Sequence, residues 1–131
     1  MKRQLLWIDK EDALAIHDML LAEHGGLAGI REFALLESAL HRPRHLYAYD
    51  KPTLPELAGA YAGGLIQNHP FYDGNKRTGF LVAATFLEIN GMTVTASEAD
   101  VVLATVSLAA RKMSEAAYAL WLTKNSERTR P

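Results

Sequence analysis

The chain has 131 residues, 49% hydrophobic and 22% charged, which is enough for one domain that buries a core without metals or disulfides. A formal net charge of −1 excludes a general electrostatic pull toward nucleic acid or anionic lipid, so such a partner would need a local patch. The absence of cysteine excludes a disulfide framework and suits a reducing cytoplasm.

After Met1, Lys2 and Arg3 the apolar run Leu5–Ile8 is too brief for a signal segment or a membrane span, so the expectation is a soluble, cytoplasmic protein with no membrane partner. Gln4–Ile8 reads as an edge strand. Asp9 offers an N-cap for a helix with Ala13, Ile16 and Leu20 on one face, ended by Gly25 and Gly26. Residues 27–31 hold too many small side chains for a regular element and read as a mobile loop. Phe33, Leu36 and Leu40 are spaced for the buried face of a second helix that Pro43 should end. Its basic tail, His41 to His45, could touch RNA or an acidic partner, and a noncatalytic domain binding RNA through Arg42 and Arg44 is a competing reading. Cations near a helix C-terminus are more often a solvated end, so nucleic acid is not expected as a partner. Leu46–Pro52 reads as a linker whose Tyr47 and Tyr49 pack across the helices.

Thr53 and Glu56 have the spacing of a capping box, so a helix should start at Leu54. Leu54, Leu57, Tyr61 and Leu65 form its apolar stripe, and the next position four residues on is His69, which should prolong that buried face. Thr78–Asn90 is apolar nearly all round, as for a central helix that the others enclose. Asn90 and Gly91 end it, and Met92–Ala96 alternates with strand period and should pair with Gln4–Ile8. Ser97 caps a helix over Glu98–Ala110. Ser114 begins the last helix, with Ala117, Leu120 and Trp121 inward, and residues 125–131 read as a frayed polar tail. The whole is a mainly α, single-domain bundle of about six helices around the Thr78 helix, with a short two-stranded β element.

Chemistry concentrates in residues 69–78, His-Pro-Phe-Tyr-Asp-Gly-Asn-Lys-Arg-Thr. Proline disfavours helix in the residue before it, so one helix stops at His69 and presents its imidazole at the end. From Gly74 the pattern is helical again, and the backbone N–H groups of about Gly74 to Arg77 become the open donors of a first turn, a site for anions. Lys76 and Arg77 oppose the helix dipole there, a conflict that a bound anion removes. A histidine, with an ordinary pKa of about 6.5, can take a proton from an attacking hydroxyl. Asp73 is a hard oxygen ligand suited to Mg²⁺ shared with phosphates, and Asn75 can hold a phosphate or orient a neighbour. Phe71 suits a hydrophobic peg that pins the loop. A lone histidine on an apolar stripe is more often a core residue, but the proline, acid, glycine and cationic pair that follow reverse that reading.

His69 to Arg77 closely resembles the Fic/Doc motif, His-x-Phe-x-Asp/Glu-Gly/Ala-Asn-Gly/Lys-Arg, at every defined position. In the adenylyl-transferring Fic branch a Gly usually precedes the final Arg and a second Arg follows three positions later. Lys76 and Phe80 stand there in this chain, which therefore resembles the death-on-curing (Doc) branch. The resemblance implies a Fic/Doc-type bundle and a toxin of a toxin–antitoxin system that transfers phosphate from ATP, with Mg²⁺, to a hydroxyl of a target protein. That target would be elongation factor Tu, with arrest of translation, and a cognate antitoxin would fold a disordered segment onto the toxin. His69 would be catalytic, Gly74, Asn75, Lys76 and Arg77 would hold phosphates, Asp73 the metal, and Phe71 a structural place. Residues 25–31 are similar to a flap that aligns the target segment, with Gly29, Ile30 and Arg31 docking it. A Fic-type adenylyltransferase, attacking the α-phosphate, is the alternative. Thr123 to Glu127 has the spacing of a Fic inhibitory helix, but Arg128 breaks the ending, which leaves restraint to a separate protein.

Overall fold

The computed structural model describes residues 4–129. Asp9 caps α1 (Lys10–His24) through a reciprocal pair with Asp12, and the helix stops at Gly25, whose φ of 79° suits glycine. α2 (Phe33–Tyr49) follows, then α3 (Leu54–Asn68), which opens with the expected capping box of Thr53 and Glu56. α4 (Asn75–Ile89) begins at Gly74, α5 (Glu98–Ala109) at Ser97 and α6 (Glu115–Lys124) at Ser114. The architecture is mainly α, six helices in one bundle, with β1 (Met92–Val94) and β2 (Ser126–Arg128) forming a two-stranded sheet. No helix among the described residues is long and apolar enough to cross a membrane.

The helix that the others enclose is α3, not α4: every residue from Leu57 to Ile66 is buried, whereas α4 exposes Glu88 and Ile89. Small side chains are the cause. A Cβ at Gly64 would lie 3.2 Å from the Ala39 Cα of α2, and one at Gly79 of α4 would lie 2.8 Å from Ile66 of α3. An interior helical glycine costs about 0.5–1 kcal/mol, which the close approach of the backbones offsets here.

α2 runs through Pro43 to Tyr49 instead of ending at the proline. The ring forfeits one backbone bond, but it is buried, and Leu40 and Leu46 on either side pack on the core, so tertiary contact outweighs the break. Residues 46–49 are thus the last turn of α2 and not part of a linker. Tyr47 meets Trp7 edge-on at 5.6 Å, while Tyr49 is 90% exposed. Phe33, expected inward, is exposed at the first turn of α2, with the Lys10 ammonium 5.0 Å over its ring. The basic tail is spent on internal contacts: Arg42 makes a two-pronged ion pair with Glu115, and the Arg44 guanidinium lies 5.1 Å from the Trp7 ring centre.

β1 pairs antiparallel with β2 rather than with Gln4–Ile8; Met92 faces Arg128 and Val94 faces Ser126. The N-terminal segment has other partners, because Leu6 exchanges two bonds with the Asn90 side chain and the Ile8 N–H donates to the Tyr61 hydroxyl. The expected frayed tail is accordingly a strand over 126–128, continued by a Thr129 N–H bond to the Gly91 carbonyl at 2.9 Å. Residues 130–131 of that tail lie outside the described part. α6 buries Tyr118, Ala119 and Leu122; Trp121 packs half-buried on the core as expected, Ala117 is half-buried, and Leu120, expected inward, is 62% exposed. Ala119 is small enough to sit 3.4 Å from where a Cβ of Gly59 would be, and that close seat against α3 fixes the phase of α6.

Candidate active site

The loop between α3 and α4 is held by its own backbone chemistry. His69 ends α3 in the left-handed region, at φ 52° and ψ 54°, with its N–H still bonded to the Leu65 carbonyl at 3.2 Å. That conformation costs a non-glycine residue on the order of 1 kcal/mol and persists only where its surroundings impose it. The change of hand also carries the imidazole off the buried stripe: Leu57, Tyr61 and Leu65 are buried as expected, and His69 is exposed. Arg31 closes the helix end, donating from Nε to the His69 carbonyl at 2.8 Å and from Nη2 to the Asn68 carbonyl at 3.2 Å. These are two of the carbonyls that a helix terminus leaves open.

Phe71 is the expected peg, with no exposed surface. The Asn75 side chain clamps it, accepting the Phe71 N–H at 3.0 Å and donating to the Phe71 carbonyl at 2.9 Å. Of the two roles open to Asn75, its amide is committed to orienting a neighbour, which leaves its backbone N–H to face an anion. His17 of α1 stacks on Phe71, with ring centres 3.7 Å apart and planes at 10°, and its Nε2–H donates to the Asp73 carbonyl at 2.8 Å. Sequence reading missed His17. Its signal was position: it lies four residues after Ala13 and three before Leu20, on the face of α1 that is buried.

Residues 27–31 lie along this loop. Ile30 forms an antiparallel bridge with Phe71, the Arg31 N–H donates to the Pro70 carbonyl at 2.7 Å, and the Tyr72 N–H donates to Gly29 at 3.4 Å. Of the docking trio, Gly29 and Ile30 thus border the loop through their backbone, while the Arg31 side chain is engaged with the end of α3. The Leu27 N–H reaches the exposed Asp73 carboxylate, 2.7 Å from Oδ2.

Gly74, at φ 81°, starts α4 with no side-chain cap. The first amide to close a helical bond is Thr78, to the Gly74 carbonyl at 2.9 Å, so the N–H groups of Asn75, Lys76 and Arg77 are the open donors of the first turn. Lys76 and Arg77 are exposed and form no ion pair among the described residues. Open amides, the positive end of the dipole and two cations could together receive an anion, and the exposed His69 stands on the loop that leads to them. Among the described residues no three His, Cys, Asp or Glu side chains gather as a cage for a metal. A single carboxylate suits Mg²⁺, which keeps waters and is usually shared with phosphates, and Asp73 offers it one oxygen beyond the one that Leu27 uses.

An exposed histidine and an uncapped, doubly cationic helix start thus flank one loop of a helical bundle. Residues 7–87 match the Fic/DOC family model. The chain is 38% identical over 92 residues to Toxin Doc of Mycolicibacterium smegmatis, covering 69% of this chain and 68% of that protein. It is 34% identical over 88 residues to Protein kinase doc of Escherichia phage P1, covering 66% and 70%. The chain belongs to the Fic/DOC family and falls in its Doc branch.

Proposed function

We propose that the protein is the toxin of a toxin–antitoxin pair and acts as a protein kinase, moving the γ-phosphate of ATP to a hydroxyl of a target protein. By family resemblance the target is elongation factor Tu, and its modification arrests translation. The observation that carries the reading is the exposed His69 imidazole on the loop that opens into the uncapped, doubly cationic start of α4. The names of the two relatives, one a toxin and one a protein kinase, support its two halves.

His69 takes the proton of the target hydroxyl as its oxygen attacks the γ-phosphorus; the new O–P bond forms while the bond to the β-phosphate's bridging oxygen breaks, and ADP leaves. The amides of Asn75 to Arg77, with Lys76 and Arg77, hold the phosphate oxygens and stabilise the charge that spreads over them. Asp73 would hold Mg²⁺, which when bound would neutralise phosphate charge. The edge formed by Gly29 and Ile30 aligns the target segment, and a cognate antitoxin restrains the toxin. Phe80 supports this reading over adenylyl transfer: it stands where the adenylyl-transferring branch carries a second arginine, and it lines a hollow with Leu81 and Ala84.

The test is incubation with γ-labelled and α-labelled ATP in an extract that contains elongation factor Tu, with His69→Ala as the control. Label from the γ position alone, lost in the variant, is the expected result. Label from the α position would make the protein an adenylyltransferase, and no label from either would remove the enzyme.

A further inference from the structure

Asp73 is tethered from two sides by groups that no motif contains. His17, 2% exposed, donates Nε2–H to the Asp73 carbonyl at 2.8 Å, and the Leu27 N–H binds Oδ2 at 2.7 Å. Gly26, at φ 123°, lets the flap come this close, since a Cβ there would lie 3.2 Å from the Asp73 Cβ. The ring of His17 also stacks on Phe71, which already has the Asn75 clamp, so the loop holds Phe71 by two means and the Asp73 carbonyl by one side chain.

The geometry points to His17 as a positioning residue for the carboxylate that would hold the metal: its Nε2–H fixes the Asp73 backbone, which with the Leu27 bond to Oδ2 orients the carboxylate. This rests on the proposal that Asp73 holds Mg²⁺ with the nucleotide. A ligand carboxylate tied by outer hydrogen bonds binds its metal more tightly, and losing such a bond typically weakens metal affinity about 10–100-fold. The ring alone, as packing against Phe71, would have no such effect.

Three substitutions separate donor from ring. His17→Gln places an amide donor near the position of Nε2 without the ring, His17→Asn places it near Nδ1 and out of reach of Asp73, and His17→Phe keeps the stack without a donor. The readout is the Mg²⁺ dependence of ATP binding to the full chain, by calorimetry at fixed ATP, with Asp73→Asn alongside and thermal melts to establish folding. The expected result is an Mg²⁺ half-saturation within about twofold of the parent for His17→Gln and raised about 10–100-fold for His17→Phe and His17→Asn. Should His17→Phe fail to fold, the contrast between Gln and Asn decides alone. Parent-like Mg²⁺ dependence in the Phe or Asn variant, with a loss in Asp73→Asn, overturns the role of His17 and leaves the site reading standing. An unchanged Mg²⁺ dependence in Asp73→Asn overturns the metal reading itself and the role of His17 with it.

Discussion

At the C-terminal end of α4 the Asn90 side chain donates to the Phe86 and Leu6 carbonyls, each at 2.8 Å, and accepts the Leu6 N–H at 3.0 Å. The Asn90 and Gly91 N–H groups bond back to Leu87 and Glu88, so that end of the helix is closed. At the other end Asn75 is buried as deeply and its amide also both accepts and donates, but it ties the loop and leaves three backbone amides open. α1, α3, α5 and α6 all begin at a Ser, Thr or Asp that caps them, whereas α4 begins at a glycine that cannot. A helix start without a cap, carrying two cations against its dipole, is poorer for stability by about 0.3–1 kcal/mol for each misplaced charge. The difference between the ends is what the proposed function requires, an end left open for a ligand, since a serine or aspartate at position 74 could have capped it.

The sharpest way to break this contrast is at the base. His69→Ala should lower transfer of the γ-label by about 10²–10⁴-fold while leaving ATP binding by calorimetry unchanged. Parent-level transfer in this variant would show that the open end does no chemistry. Arg77→Ala should cost the transfer rate about 10²–10³-fold, because it removes a donor that matters most as charge develops, with a smaller loss from Lys76→Ala. Equal losses in binding and rate would mean that the cations hold substrate and transition state alike. The two asparagines sharpen the comparison directly. Asn75→Ala and Asn90→Ala should each destabilise the fold by about 2–4 kcal/mol in denaturant melts, since each strands buried backbone groups. Per folded molecule only Asn75→Ala should also lose transfer, through release of the Phe71 loop. If Asn90→Ala lowers transfer as much, the two ends are not functionally distinct.

How far the sequence could be read follows the same division. The backbone of the candidate site was legible because its parts are consecutive: Pro70 ends one helix and Gly74 opens the next through local rules, which need no knowledge of the rest of the chain. The caps at Asp9, Thr53, Ser97 and Ser114 were legible for the same reason. What failed depended on distant partners. Gln4–Ile8 and residues 126–128 compete for the edge of β1, and nothing in either segment reveals that Asn90 takes the first of them. Bulk suggested α4 as the central helix, whereas burial went to α3 because Gly59, Gly63 and Gly64 allow close neighbours. His17 shows the limit most clearly: α1 gives its face but not the loop that the face meets.

The smallest expected effect tests the closed part of the molecule through its core. Burial raises the Tyr118 hydroxyl from an ordinary pKa of 10.0 to about 12, opposed in part by its bond with Thr105 at 3.3 Å. The folded state therefore keeps a proton that the unfolded chain releases near pH 10. The stability this provides is whole below pH 10 and is lost as the pH rises from there toward 12, a decline of about 2–3 kcal/mol across the window. Tyr118→Phe keeps the ring and removes the proton, so urea melts of this variant should lose most of that alkaline decline. The parent and the variant should transfer label at equal rates at neutral pH. A variant with the full decline would assign it elsewhere, with Tyr61 next in line, since burial raises its hydroxyl in the same direction.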